Sequence, residues 1–175
     1  MKMKVVLLVL FTLISFGKEM QEKRADSPIV KKVVALDSSL SNSQHPDKVL
    51  LEIAKLLIPI DISPEEYRQN EKYKEVCHLK VVKSANFGDF VSYDGYHLKK
   101  IINTYPKSNL ADDAEYELVS VILSDEYNYH NAREEKIKLS NFIKKYPKSN
   151  LRKKAEERIE TIEKDLKNGG SGIYD

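Results

Sequence analysis

Apolar and polar positions alternate with a helical period over most of this chain. From Pro46 onward, Val49, Leu50, Ile53, Ala54, Leu56 and Leu57 recur at the spacing of one helical face, and Pro59 ends the run. Ser63-Pro64-Glu65-Glu66 then predicts a helix start. Ser63 can cap, Pro64 fits the first helical position, and Glu66 stands where it closes a capping box. The pattern extends that helix to about Ala85, although its Val76–Val82 portion also suits a strand. Asn86–Asp89 punctuates, and a further helix is expected from about Asp89 to Tyr105, burying Leu98, Ile101, Ile102 and Tyr105. Gly95 falls inside it, at a cost of about 1 kcal/mol relative to alanine.

Three more helices follow. The fourth carries Ala111, Ala114, Leu118, Val121 and Ile122 on one face, with a break near Asn128–Asn131. The fifth presents Leu139, Phe142, Ile143 and Tyr146, and the sixth Leu151, Ala155, Ile159, Ile162 and Leu166. Glycines end the sixth, so the helical domain spans 46–167 and residues 168–175 form a flexible tail. Ahead of the domain, 18–45 reads as a polar tether, in which Ile29–Leu36 has apolar content enough for a short strand or helical turn.

The hexapeptide YPKSNL occurs at Tyr105–Leu110 and again at Tyr146–Leu151, 41 positions on. Comparison of Leu98–Val119 with Leu139–Glu160 gives identity at 10 of 22 positions, including Ala114 with Ala155. The matched residues suit a joint between two helices. Tyr105 and Tyr146 precede Pro106 and Pro147, and the residue before proline leaves the helical region. Ser108 and Ser149, or the asparagines beside them, can cap the next helix. Ala114 and Ala155 are small where two helices approach closely. One such hairpin cannot bury its apolar face, and stacking of about three units does. Asp47–Ala85 is expected to supply a degenerate third unit.

These residues carry a resemblance. Ile102 through Leu110 with Ala114, and Ile143 through Leu151 with Ala155, resemble the tetratricopeptide-like repeats of bacterial envelope proteins. The style is that of outer-membrane-protein assembly lipoproteins and Tol–Pal-associated periplasmic repeat proteins. The resemblance covers about Asp89–Leu166 and implies an all-α fold, a short right-handed solenoid of about three helix–turn–helix hairpins. It also implies a scaffold that holds a protein or peptide partner in the envelope. The period is 41 rather than the usual value of about 34. One longer turn per helix absorbs the difference.

The N-terminus changes where such a domain would work. Lys2 and Lys4 precede an apolar run from Val5 to Phe16, and Ser15 and Gly17 are small residues before a cleavage point. This is the pattern of a signal peptide over 1–17, and the run is too short to span a bilayer. The chain is therefore expected to cross the inner membrane, to be periplasmic or envelope-associated, and not to be an integral membrane protein. Leu13–Gly17 resembles the start of a lipoprotein signal, but Lys18 stands where that motif places cysteine, so a lipid anchor is not supported. Loss of the two lysines brings the net charge of +2 to about zero, which gives no electrostatic footprint for nucleic acid. Cys77 is the only cysteine. It excludes a disulfide framework and reads as a small buried residue.

Catalytic chemistry is not legible, and the expectation is a non-enzyme with no cofactor. His45, His78, His97 and His130 have no metal-ligand spacing, and no phosphate loop or nucleophile elbow occurs. Asp112 and Asp113 lie in a helix's first turn, where negative charge suits the dipole. The alternatives are a secreted enzyme or effector with a site in Ser63–Phe90, and a purely structural subunit of an envelope assembly. Two surfaces remain as partner-binding candidates. Lys144, Lys145, Lys148, Arg152, Lys153 and Lys154 place six cations in 11 residues, three of them opposing the next helix's dipole by about 0.3–1 kcal/mol each. They suit an acidic partner or an anionic lipid surface. Tyr93, Tyr96, Tyr116, Tyr127 and Tyr129 form the second candidate, because tyrosine gives contact area at low entropic cost.

Overall fold

The computed structural model describes residues 26–83, 88–124 and 131–168. The signal segment, the tail after Asn168, Tyr127, Tyr129 and His130 lie outside the described residues. Among these residues the chain forms eight α-helices and one two-stranded antiparallel sheet. The molecule is mostly helical.

The first helix, α1 (Pro28–Ser39), falls within the segment read as a tether. Ser27 caps it by accepting the Val30 amide at 3.3 Å, and Pro28 takes the first turn. Val30 and Val33 are fully buried against α2 (Pro46–Leu57). Val30, Val33 and Val34 keep helical spacing, and the polar residues around them form the solvent side. α2 appears where its apolar stripe placed it, with Leu50, Leu51, Ile53, Ala54 and Leu57 buried.

The long helix expected from Ser63 to Ala85 does not form. Ser63 does cap α3 (Pro64–Arg68), accepting the Glu66 amide at 3.1 Å. The Glu66 carboxylate does not close a capping box; it accepts the Tyr73 hydroxyl at 2.6 Å. Asn70 interrupts the helix by taking the Lys72 amide on its own side chain at 3.1 Å, and α4 (Lys72–Glu75) starts there. His78, at φ 52°, then turns the chain out of helix into β1 (Leu79–Val82). β2 (Phe90–Tyr93) pairs with it antiparallel, Leu79 opposite Tyr93 and Val82 opposite Phe90. β-branched and aromatic residues in both strands favour this pleated pairing over helix.

The helix expected from Asp89 begins instead at Tyr96, as α5 (Tyr96–Thr104), and Gly95 is its N-cap rather than an interior weakness. α6 (Ala111–Ser124), α7 (Asn131–Lys145) and α8 (Arg152–Lys167) follow the sequence pattern. Packing runs in strict order: α1 on α2, α2 on α5, α5 on α6, α6 on α7, α7 on α8. The third helix pair is therefore α1 with α2, not Asp47–Ala85. Residues 58–95 are an insertion between the first pair and the second.

Two cores result, with α6 as the wall between them. Ala114, Leu118 and Val121 of α6 face a larger core with α1, α2, the sheet and α5. Tyr116 and Val119 face a smaller one with Leu139, Phe142, Ala155 and Ile162. Ala114 and Ala155 are each fully buried, as expected of close helix approaches. Among the described residues no helix is long and apolar enough to cross a membrane.

Candidate functional site

The two YPKSNL copies have one geometry. Tyr105 and Tyr146 donate their amides to Ile101 and Phe142, both at 2.8 Å, closing the preceding helix. Ser108 and Ser149 amides reach back to the Tyr105 and Tyr146 carbonyls at 2.9 and 3.1 Å. Each serine hydroxyl accepts the amide two residues on, of Leu110 and of Leu151, both at 3.1 Å. The amides of Ala114 and Ala155 open the next helix by bonding Leu110 and Leu151 at 2.9 and 3.0 Å. Every one of these bonds recurs 41 residues on, and all serve the chain itself. Pro106 and Pro147 are exposed within the turn.

Each joint also ties to the preceding pair. The Ser108 hydroxyl donates to Asp47 at the start of α2, at 2.6 Å, which holds that carboxyl below its usual range. The Tyr146 hydroxyl donates to Glu115 of α6 at 3.0 Å, and Lys145 pairs with the same carboxylate. Joints and helix starts thus line one edge of the helix array.

The cations on that edge are mostly engaged. Arg152 bonds Glu156 at 2.8 Å and the Pro147 carbonyl at 3.3 Å. Lys153 pairs with Glu157 at 3.5 Å, and Lys154 lies 5.2 Å over the Tyr116 ring. Carboxylates one turn on therefore offset the dipole penalty at the start of α8. Lys144 and Lys148 are exposed and have no carboxylate partner among the described residues. A six-residue cationic corner reduces to these two.

The tyrosines do not form one surface. Tyr93 is 2% exposed and belongs to the core, a correction to its reading as a binding residue. Tyr116 is half-buried and meets Phe142 edge-on, centroids 5.5 Å apart. Tyr96 alone among the described candidates is well exposed, at 40%.

Tyr93 belongs instead to a ring cluster that joins the insertion to α5. Gly95, at φ 79°, lets the chain leave β2 and enter α5 within two residues, Asp94 and Gly95. Tyr93 is thereby set over the first turn of α5, where its hydroxyl accepts the His97 amide at 2.8 Å. The same hydroxyl meets His97 Nδ1 at 3.0 Å, in a bond whose direction follows the imidazole tautomer. His97 is 1% exposed, and burial, with His78 and Lys100 nearby, pushes its pKa down to about 3. Burial pushes the Tyr93 hydroxyl upward. His78 stacks on Tyr96 with centroids 3.6 Å apart and meets His97 edge-on at 5.3 Å. Burial lowers His78 as well, opposed by Asp94 and Asp37 and reinforced by Lys100. The buried pair is neutral at physiological pH and sealed from solvent, which is the environment of a packing contact rather than of proton exchange. Glu75, the carboxylate nearest His78 in sequence on α4, is exposed and makes no hydrogen bond or ion pair with it.

A cleft of about 210 Å³ lies between the end of α2, β2 and α6. Ile58, Ile60, Phe90, Val91 and Val121 line it, with Ser92 and Tyr93, and it holds no charged side chain. Cys77 is buried, and burial raises its thiol to about 11, so it stays protonated. Among the described residues no three His, Cys, Asp or Glu side chains converge as a metal site. No family model matches the chain, and no curated protein or solved structure matches it either.

Proposed function

We propose that this chain is a non-enzymatic interaction module of the bacterial cell envelope, a short right-handed, tetratricopeptide-like stack that holds a protein or peptide partner. The observation that carries this reading is the duplicated joint. The same six residues make the same hydrogen bonds 41 positions apart, and each helix of the three pairs packs on the next in sequence. A chain built by stacking hairpins presents extended faces to partners. Lys144 and Lys148 add a positive edge that an acidic partner or anionic head groups would meet. Export rests on the residues of 1–17.

Two experiments test the proposal. Expression with a C-terminal tag in a bacterial host, followed by fractionation and N-terminal sequencing, should recover a periplasmic chain beginning at Lys18. Recovery of uncleaved chain in the cytoplasm would remove the envelope assignment. Chemical cross-linking in whole cells should then trap one reproducible protein partner. A chain that cross-links to none, yet turns over a small molecule, would overturn the non-enzymatic reading.

A further inference from the structure

Three large apolar residues of the described chain are exposed, and each lies on the first helix of its pair. They are Ile29 on α1 at 37%, Tyr96 on α5 at 40% and Ile137 on α7 at 59%. A single exposed apolar residue is ordinary and needs no account. Position makes these different. Tyr96 and Ile137 are 41 residues apart, the offset that relates the two joints. Each stands nine residues before the tyrosine that ends its helix. Equivalent helices with equivalent ends therefore present an apolar side chain at one equivalent point, outward.

Cations predominate around these two points; the carboxylate nearest Tyr96, that of Asp94, accepts the Tyr96 amide at 2.7 Å. Lys99 and Lys100 stand one turn from Tyr96, and Arg133 and Lys144 flank Ile137 at helical spacing. None of the four has a carboxylate partner among the described residues; Lys99 is engaged only by the Asp94 carbonyl at 2.6 Å. The one carboxylate on this side of α7, Glu134, is paired with Lys138 at 3.5 Å. Tyr96 is also held in place, stacked on His78, so its ring loses little freedom on binding.

Resting on the interaction-module reading, we infer that the outer face of α5 and α7 is the docking surface, and that its partner is an acidic protein segment with at least two apolar anchors. One anchor meets Tyr96 and the other Ile137, while acidic residues between them meet Lys99, Lys100, Arg133 and Lys144. Apolar contacts hold the segment, and the charges steer it and select its sign.

The probe is a phage-displayed library of random 16-residue peptides, selected on the purified chain. Enriched peptides should be net acidic with two or more large apolar residues. Ile137→Ser, at a side chain that is 59% exposed, should weaken the selected peptide at least tenfold with the melting temperature unchanged. Lys100→Glu should weaken it at least fivefold, and added salt should do the same. Peptides that bind equally to I137S and K100E would overturn this face while leaving the interaction module standing. Failure to enrich any peptide would overturn the face and weigh against the module together.

Discussion

Gly95 sits at φ 79°, a conformation that side chains rarely adopt, and a Cβ added there would come within 2.6 Å of Leu118 Cδ1. Backbone strain and the displaced leucine act together, so Gly95→Ala should destabilise the fold by about 1–3 kcal/mol in denaturant unfolding. An unchanged midpoint would contradict the close approach. His97 makes a second residue-scale prediction, this one in pH. Its folded pKa of about 3 lies below the ordinary value of about 6.5. The unfolded chain therefore takes up a proton that the folded chain refuses, and stability falls as pH drops from about 6.5 towards 3. The slope from this group approaches about 1.4 kcal/mol per pH unit. Between pH 6.5 and 5, above most carboxylate titration, His97→Gln should flatten that slope. The same slope in wild type and variant would mean that His97 is not held neutral. The residues facing it and His78 are Tyr93, Tyr96, Asp94, Asp37 and Lys100.

At the scale of elements, the joints are where sequence and structure agree best. Tyr-Pro stops a helix by sterics alone. The serine does not cap the next helix, where Leu151 stands at the N-cap of α8. Its hydroxyl instead holds the turn by accepting the amide two residues on, so both devices are local. Ser149→Ala should cost about 0.5–1.5 kcal/mol, and Ser108→Ala more, because it also gives up the bond to Asp47. Equal losses measured by thermal unfolding would show that the Asp47 bond contributes nothing. The insertion was harder to read because its cause is not local. Tyr93 and His97 fit one face of a helix at i and i+4, yet they meet as strand and helix across a two-residue turn. Asp94-Gly95 after the run FVSY was the available signal: a turn dipeptide behind β-branched and aromatic residues. Asn70 and His78 break the preceding helix through side-chain and backbone conformation that apolar periodicity does not register. α1 was masked by the polar run Ser38–Gln44 that follows it, although Pro28 and the Val30–Val33 spacing marked its start.

At the scale of the molecule, three helix pairs stack in order and an insertion of strand and short helices plugs one side of the larger core. A partly buried ion pair ties the far end: Arg158 of α8 grips Glu135 of α7 through two hydrogen bonds of 2.7 and 2.9 Å. The backbone and serine hydroxyls of the repeated hexapeptide build that architecture, and under the proposed function binding is left to what the helices turn outward. Anisotropy titration of a selected peptide into a Lys107→Ala, Asn109→Ala, Asn150→Ala variant, beside Ile137→Ser, tests this most directly. All three joint residues are exposed, so the variant removes joint surface without touching the bonds that build it. The account predicts affinity within twofold of wild type for the joint variant and at least tenfold weaker for I137S. A folded joint variant that loses tenfold, beside an I137S that loses nothing, would contradict it and make YPKSNL the binding motif.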